Sequence, residues 1–139
     1  MESKSSNLSR ILYVSTASKT VTQSDLQDIL ESSRRNNEKN HITGVMCASY
    51  SHFVQILEGP ESNLIRLYAK IIDDPRHYDC ILIGISPIFA RTFIEWSMGY
   101  IEKTDAEISF DRHDLLKYRE RNDSDELIRI MRELISRLK

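Results

Sequence analysis

Apolar positions along this chain follow two rhythms. Ile11-Leu-Tyr-Val-Ser15, Thr43 to Ala48, His52 to Leu57 and Cys80 to Ile85 are short runs rich in β-branched and aromatic residues, as strands are. Between them, apolar residues recur every three or four positions: Leu26, Ile29 and Leu30, then Leu64, Ile65, Leu67, Tyr68, Ile71 and Ile72. That spacing places each set on one face of a helix. Thr22 or Ser24 can cap the first helix, and Asn36-Asn37 is expected to stop it, because asparagine favours turns and tolerates left-handed dihedrals. The short link Ser49-Tyr-Ser51 predicts an antiparallel hairpin. Gly59-Pro60 breaks the next strand, Pro60 suits the first turn of the second helix, and Asp73-Asp-Pro75 ends that helix. Cys80 to Ile85 is continuously apolar, as expected of a central strand. Phe93 to Ile101, containing Trp96 and Met98, reads as a weaker fifth strand.

The order β-α-β-β-α-β-β predicts an α+β fold. Its first six elements are those of a split β-α-β sandwich, with two helices on one face of a sheet. Residues 1–8 are polar and expected to form a loose arm. At the other end, Asp123-Ser-Asp-Glu126 can form a capping box. Leu127, Ile128, Ile130, Met131, Leu134, Ile135 and Leu138 then share one helical face, and a weaker helix is predicted over Arg112 to Arg121. These C-terminal helices are expected to cover the open sheet face or to dock on a partner chain. The predicted organisation is therefore an arm (1–8), a main domain (9–102) and a helical cap or partner-docking segment (103–139). From Lys103 onward, nine basic residues balance nine acidic ones, so no charged interaction tail is indicated.

Bulk properties narrow the function classes. At 139 residues the chain is expected to form one domain, burying about two-thirds of its unfolded surface. The net charge of −2 and the absence of a basic patch argue against a nucleic-acid partner. No apolar run is long enough to span a membrane and the N-terminus has no apolar signal core, so a cytoplasmic location and no membrane partner are expected. Cys47 and Cys80 lie far apart and are read as reduced core residues. His41, His52, His77 and His113 have no ligand spacing, so no metal is expected.

Gln55 is the residue hardest to explain by packing alone. It is a neutral amide within the apolar run Phe53-Val-Gln-Ile-Leu-Glu-Gly59, and a buried amide without partners costs about 1–3 kcal/mol. Alternation puts Ile11 and Tyr13 on one face of the first strand, and Phe53, Gln55 and Leu57 on one face of the third. With both faces turned toward the helices, Tyr13 and Gln55 lie side by side, and Asn37 sits at the edge of the same cavity. Ile29 and Ile71 then supply apolar walls. A flat slot with amides at one end suits a planar heteroaromatic ring. Taken singly, each residue has a plainer reading. Tyr13 is an ordinary core aromatic, Asn37 a helix stop, Gln55 an amide satisfied by buried water, Trp96 and Met98 edge packing, and Arg76-His77 a solvated loop.

Taken together, the residues carry a resemblance. Tyr13, Ser33-Arg-Arg-Asn-Asn37, Ile42-Thr-Gly44, Phe53-Val-Gln-Ile-Leu-Glu-Gly59, Asp74-Pro-Arg-His77 and Trp96-Ser-Met98 resemble, in order and spacing, the BLUF domain, over about residues 9–101. Two departures adjoin the signature. Val54 stands where the family commonly has a second phenylalanine, and Ser51-His52 replaces a position that is often glycine or apolar. The resemblance implies a blue-light sensor holding FAD on a ferredoxin-like fold, with a five-stranded mixed sheet. It implies that Tyr13 donates an electron to the excited flavin, that Gln55 bridges the tyrosine to the ring, and that Asn37 fixes the ring edge. Ile29 and Ile71 match the residues sandwiching the ring. Ser33, Asn36, Lys70, Asp74, Arg76 and His77 fall among its cofactor contacts, and Trp96 and Met98 match the pair that passes the change outward.

The residue types fit that role. Tyrosine is an oxidisable phenol, and glutamine carries donors and acceptors on one rotatable group. On this reading the chain is a short, stand-alone photoreceptor and not an enzyme. It is expected to signal to a protein partner and to form homo-oligomers. Two other classes stay open: a ferredoxin-like interaction module without cofactor, and a flavin-dependent oxidoreductase.

Overall fold

The computed structural model describes residues 7–18, 22–48, 52–93 and 97–102, together with Lys117, Glu120, Asp125, Glu126, Ile128 and Arg129. The elements run β1 (Leu8–Ala17), α1 (Gln23–Lys39), β2 (Thr43–Ala48), β3 (His52–Pro60), α2 (Glu61–Ile72), β4 (His77–Pro87) and β5 (Gly99–Glu102). The sheet order is β4-β1-β3-β2-β5. Among the first four strands each hydrogen-bonded pair is antiparallel, and β5 lies parallel to β2 at the edge. The fold is α+β, with both helices packed on one sheet face. There Leu26 and Leu30 of α1 and Leu64 of α2 cluster with Ile11, Tyr13, Met46, Phe53 and Leu57.

Several expectations are corrected. Leu8, read as part of the arm, opens β1, while residues 1–6 of that arm lie outside those described. Thr22, not Ser24, caps α1: its Oγ1 accepts from the Asp25 N–H and Asp25 Oδ2 accepts from the Thr22 N–H, both at 3.1 Å. The helix runs through Asn36-Asn37 to Lys39, and the turn is made by Asn40 and by His41 at φ 58°. Asn37 does not turn the chain because its side chain is used in the interior, where it is buried and hydrogen-bonded to another segment.

Cys80 to Ile85 lies within an edge strand rather than a central one, and Ile85 is half-exposed. Cys80 is accordingly only partly buried, whereas Cys47 in β2 is a core residue. Both cysteines are free thiols. A continuous apolar run does not by itself distinguish burial on two faces from exposure at an edge. Phe93 lies in a bend, so β5 starts later than the pattern predicts. The C-terminal helices lie mostly outside the described residues; the six that are described there are helical, and Ile128 is buried. Among the described residues no helix is long and apolar enough to cross a membrane.

The sheet face away from α1 and α2 is also dry. Leu12, Val14, Val45, Val54 and Ile56 are each at most 1% exposed. Glu58 shares that face and is fully buried. Arg10 Nε and Nη2 each lie 2.8 Å from its Oε2. Its Oε1 accepts the N–H groups of Thr92 at 2.8 Å and Phe93 at 3.0 Å. Arg91 adds bonds to Thr43 Oγ1 and to the carbonyls of Glu58 and His41. One carboxylate thus ties the chain after β4 to the middle of the sheet. Register is further held at Gly44, where a Cβ would collide with the Ile56 carbonyl oxygen of β3.

Glu58→Ala leaves Arg10 Nε and two backbone N–H groups without their partner, while Arg10 Nη2 keeps Thr92 Oγ1 at 2.7 Å. The expected loss is about 3–5 kcal/mol of unfolding free energy, read from urea titration. A loss below about 1 kcal/mol, the level of a surface pair, would show that water replaces the carboxylate.

Candidate functional site

The strand register brings the polar core residues together. Tyr13 lies opposite Gln55 across β1 and β3, and Met46 lies opposite Gln55 across β3 and β2. Tyr13 and Gln55 are 3% and 6% exposed, so each must find its partner inside the protein. The Tyr13 hydroxyl donates to Gln55 Oε1. Gln55 Nε2 donates to Met98 Sδ at 3.5 Å. The amide is thus engaged at both ends, accepting from the phenol and donating to a thioether sulfur, a weak acceptor.

Burial pushes the Tyr13 phenol well above its ordinary value, with smaller pushes from Cys80, Tyr68 and Asp74. The Tyr68 ring leans on it, with centroids 5.4 Å apart and planes at 60°.

A cavity of about 170 Å³ opens on this pair. That is several times the share of one water in the liquid, about 30 Å³. Ile29 of α1 and Leu67 and Ile71 of α2 give it apolar walls. The sheet and the segment before β5 contribute Tyr13, Met46, Phe53, Gln55 and Met98, and the last turns of α1 contribute Ser32, Ser33, Asn36 and Asn37. Lys70, Asp74, Arg76 and His77 line its charged part.

Asn37 Nδ2 donates to the Ser97 carbonyl at 2.5 Å. One turn earlier, Arg34 Nε donates to the Met98 carbonyl at 3.0 Å. Arg76 grips Asp74 in a fork, Nε to Oδ1 at 3.0 Å and Nη2 to Oδ2 at 2.5 Å. This hydrogen bonding holds the Asp74 carboxyl below its ordinary value against the opposing effect of burial, and raises Arg76. His77 bonds the Ile71 carbonyl through Nε2 and Ser15 Oγ, at 2.8 Å, through Nδ1. A carbonyl can only accept, so Nε2 carries the proton and, in the neutral ring, Nδ1 accepts from the Ser15 hydroxyl. The His77 ring also meets Phe53 edge-on.

All eleven residues singled out as cofactor contacts line this one cavity, and so does Met98. Trp96 lies outside the described residues. Sequence reasoning missed Ser32, Met46, Phe53 and Leu67 as lining residues, and Arg34 beside them. Met46 could have been found from its place beside Gln55, had the hairpin register been known. Arg34 gave no signal, since its bond depends on how the segment before β5 folds back. Among the described residues no cluster of histidine, cysteine and carboxylate side chains could hold a metal ion.

A slot between two helices, with apolar walls, amides on one side and charges on another, is a site for a flat polar-edged ring bearing an anionic tail. The family described as BLUF, sensors of blue-light using FAD, matches residues 8–99. The chain belongs to that family, whose cofactor is FAD. It is 36% identical over 94 residues to the photoactivated adenylate cyclase subunit beta of Euglena longa, covering 67% of this chain and 11% of that protein. It is 34% identical over 68 residues to the blue light- and temperature-regulated antirepressor BluF of Escherichia coli (strain K12), covering 49% of this chain and 17% of that one. The dark-state structure of BlrB, a BLUF protein, superimposes with a TM-score of 0.76 at 29% identity, over 93% of this chain and 98% of that one. The chain thus spans about a tenth of the length of the cyclase subunit it matches.

The raised Tyr13 phenol has a consequence for pH. The folded state keeps this proton after the unfolded chain has released its own, so stability falls as pH rises past the ordinary phenol value. Tyr13→Phe is expected to remove up to about 1.4 kcal/mol per pH unit of that loss between about pH 10 and pH 11, measured by urea unfolding. An unchanged slope would mean that other groups cause the alkaline loss.

Proposed function

We propose that this chain is a blue-light switch whose moving part is the hydrogen-bonded series Tyr13–Gln55–Met98. The observation that carries the reading is this series lying at the cavity of a chain that belongs to the BLUF family. The residues fit FAD on chemical grounds. Ile29 and Ile71 can sandwich a ring. Asn37 spends one N–H on Ser97 and has a second N–H and Oδ1 for the ring edge. Ser33 and Asn36 extend that polar side, and Lys70, Arg76, Asp74 and His77 suit a ribityl chain and phosphates.

Bound FAD supplies the absorption of blue light and, once excited, the demand for an electron. Tyr13 meets that demand, and its proton follows the existing hydrogen bond to Gln55 Oε1. Burial disfavours both a free phenolate and a charged phenol, so electron and proton leave together. Gln55 would then reorient, the electron and the proton would both return to Tyr13, and the amide would aim its N–H group toward the ring instead of the Met98 sulfur. Nothing is left oxidised or reduced; only the hydrogen-bond arrangement differs, which shifts the absorption slightly to the red.

Met98, with Trp96, carries the change to β5, which leans on β2. Residues 9–102 act as the sensor, and 103–139 as the helical cap or docking segment, in a cytoplasmic homo-oligomer that works through a protein partner rather than by catalysis. The E. coli relative's name, an antirepressor, supports output by protein contact.

Purified protein is expected to show a flavin spectrum that moves slightly to the red after blue light and relaxes in the dark. Gln55→Leu and Tyr13→Phe are expected to keep the yellow colour and lose that shift. A full reversible shift in either variant would overturn the assigned switch.

A further inference from the structure

We propose that Arg34 is a positioning residue of this switch. Its guanidinium holds the Met98 carbonyl, keeps the methionine sulfur against Gln55 Nε2, and so sets how fast the light state decays. The inference rests on the photoreceptor reading above and extends it to a residue outside the cavity lining.

Three bonds converge on two successive residues. Asn37 Nδ2 takes the Ser97 carbonyl at 2.5 Å, Arg34 Nε takes the Met98 carbonyl at 3.0 Å, and Gln55 Nε2 reaches Met98 Sδ at 3.5 Å. Arg34 and Asn37 are three residues apart on α1, on the same face, one turn from each other. β5 starts at the next residue, Gly99, opposite Val45 of β2. Sulfur is a weak acceptor, so its bond to Gln55 cannot by itself hold a backbone segment in place. The two bonds from α1 do that, and the one from Arg34 is charge-assisted and acts on Met98 itself.

When Gln55 turns away, the Met98 sulfur loses its hydrogen-bond partner, and of the Met98 bonds described the one at its carbonyl is left. Recovery requires the sulfur to be back in position when the amide returns. Without the Arg34 bond nothing from α1 holds Met98 itself while the amide is turned away, so the sulfur is less often in place when Gln55 swings back and the return slows.

Arg34 is exposed, so its replacement is expected to leave the fold intact. Arg34→Ala should keep bound FAD and the full red shift, and slow dark recovery by about three- to tenfold, the factor for one partly exposed charged hydrogen bond. Arg34→Lys, which restores a cationic donor, should bring the rate back toward the parent. Independently of light, the ¹³C-methyl resonance of Met98 in dark protein, assigned with Met98→Leu, should move in Arg34→Ala toward its position in Gln55→Leu. An unchanged recovery rate, an unchanged Met98 resonance, or a lysine variant as slow as the alanine one each rejects the proposal. Absence of any red shift in the parent would instead reject the photoreceptor reading, and the Met98 resonance would still decide whether Arg34 positions the methionine.

Discussion

Two polar side chains meet across the middle of an otherwise apolar sheet face, and the rest of the molecule is arranged to let them. Tyr13 and Gln55 can satisfy one another only if β1 and β3 pair in one register. A slip of one residue between the strands would put Tyr13 and Gln55 on opposite faces of the sheet, one of them among Leu12, Val14, Val54 and Ile56. Ordinary core packing tolerates a choice among apolar residues of similar volume. A phenol bonded to an amide does not. Register is therefore held from several sides: by the close approach at Gly44, by the Glu58–Arg10 pair between facing strands, and by the cluster under the helices.

The same constraint sorts the chain after β4 into two parts. Residues 91–93 are tied to Glu58, His41 and Thr43 by a buried carboxylate and an arginine fork. Such a network is costly to disturb, because the carboxylate at its centre is fully desolvated and satisfied on both oxygens. Residues 97–98 are held by single bonds from two α1 side chains and by one contact to sulfur. On the proposed reading, a rearrangement at Gln55 would be felt first at Met98 and only weakly at Phe93, and discrete packing would turn a rotated amide into a displaced strand end.

Much of this was legible in the sequence, for physical reasons that also explain the failures. Alternation in two short strands was enough to put Tyr13 and Gln55 on the helix-facing side, because the strand period leaves only two options. Helical spacing found Ile29 and Ile71. Asn37 was found as a cavity residue but misread as a helix stop, since the same amide serves either purpose and only burial distinguishes them. β4 was misplaced at the centre because an apolar run says nothing of its neighbours, and the hidden variable was strand order. Glu58 was visible only as a letter of the signature. A carboxylate at the end of a strand reads as solvated until an arginine opposite it and two N–H groups from a distant segment are known. Arg34 is illegible for the same reason: its acceptor is a backbone carbonyl, which no sequence pattern marks.

Burial of the phenol ties these points to the switch. In water, tyrosine can lose its electron and its proton in separate steps, each intermediate being solvated. Inside this core, both a phenolate and a phenol cation would be charges in a poorly screening surround, and the raised pKa of Tyr13 expresses the first of those penalties. The one low-cost route for the proton is the bond already made to Gln55 Oε1. An amide can accept that proton only briefly, since protonated amides are strong acids. The pair therefore cannot rest in a charge-separated state, and the one lasting change open to it is a new orientation of the Gln55 side chain. On the proposed reading, this is why the signal is written in hydrogen bonds, and why the side chain that loses a partner, Met98, sits one residue before the edge strand.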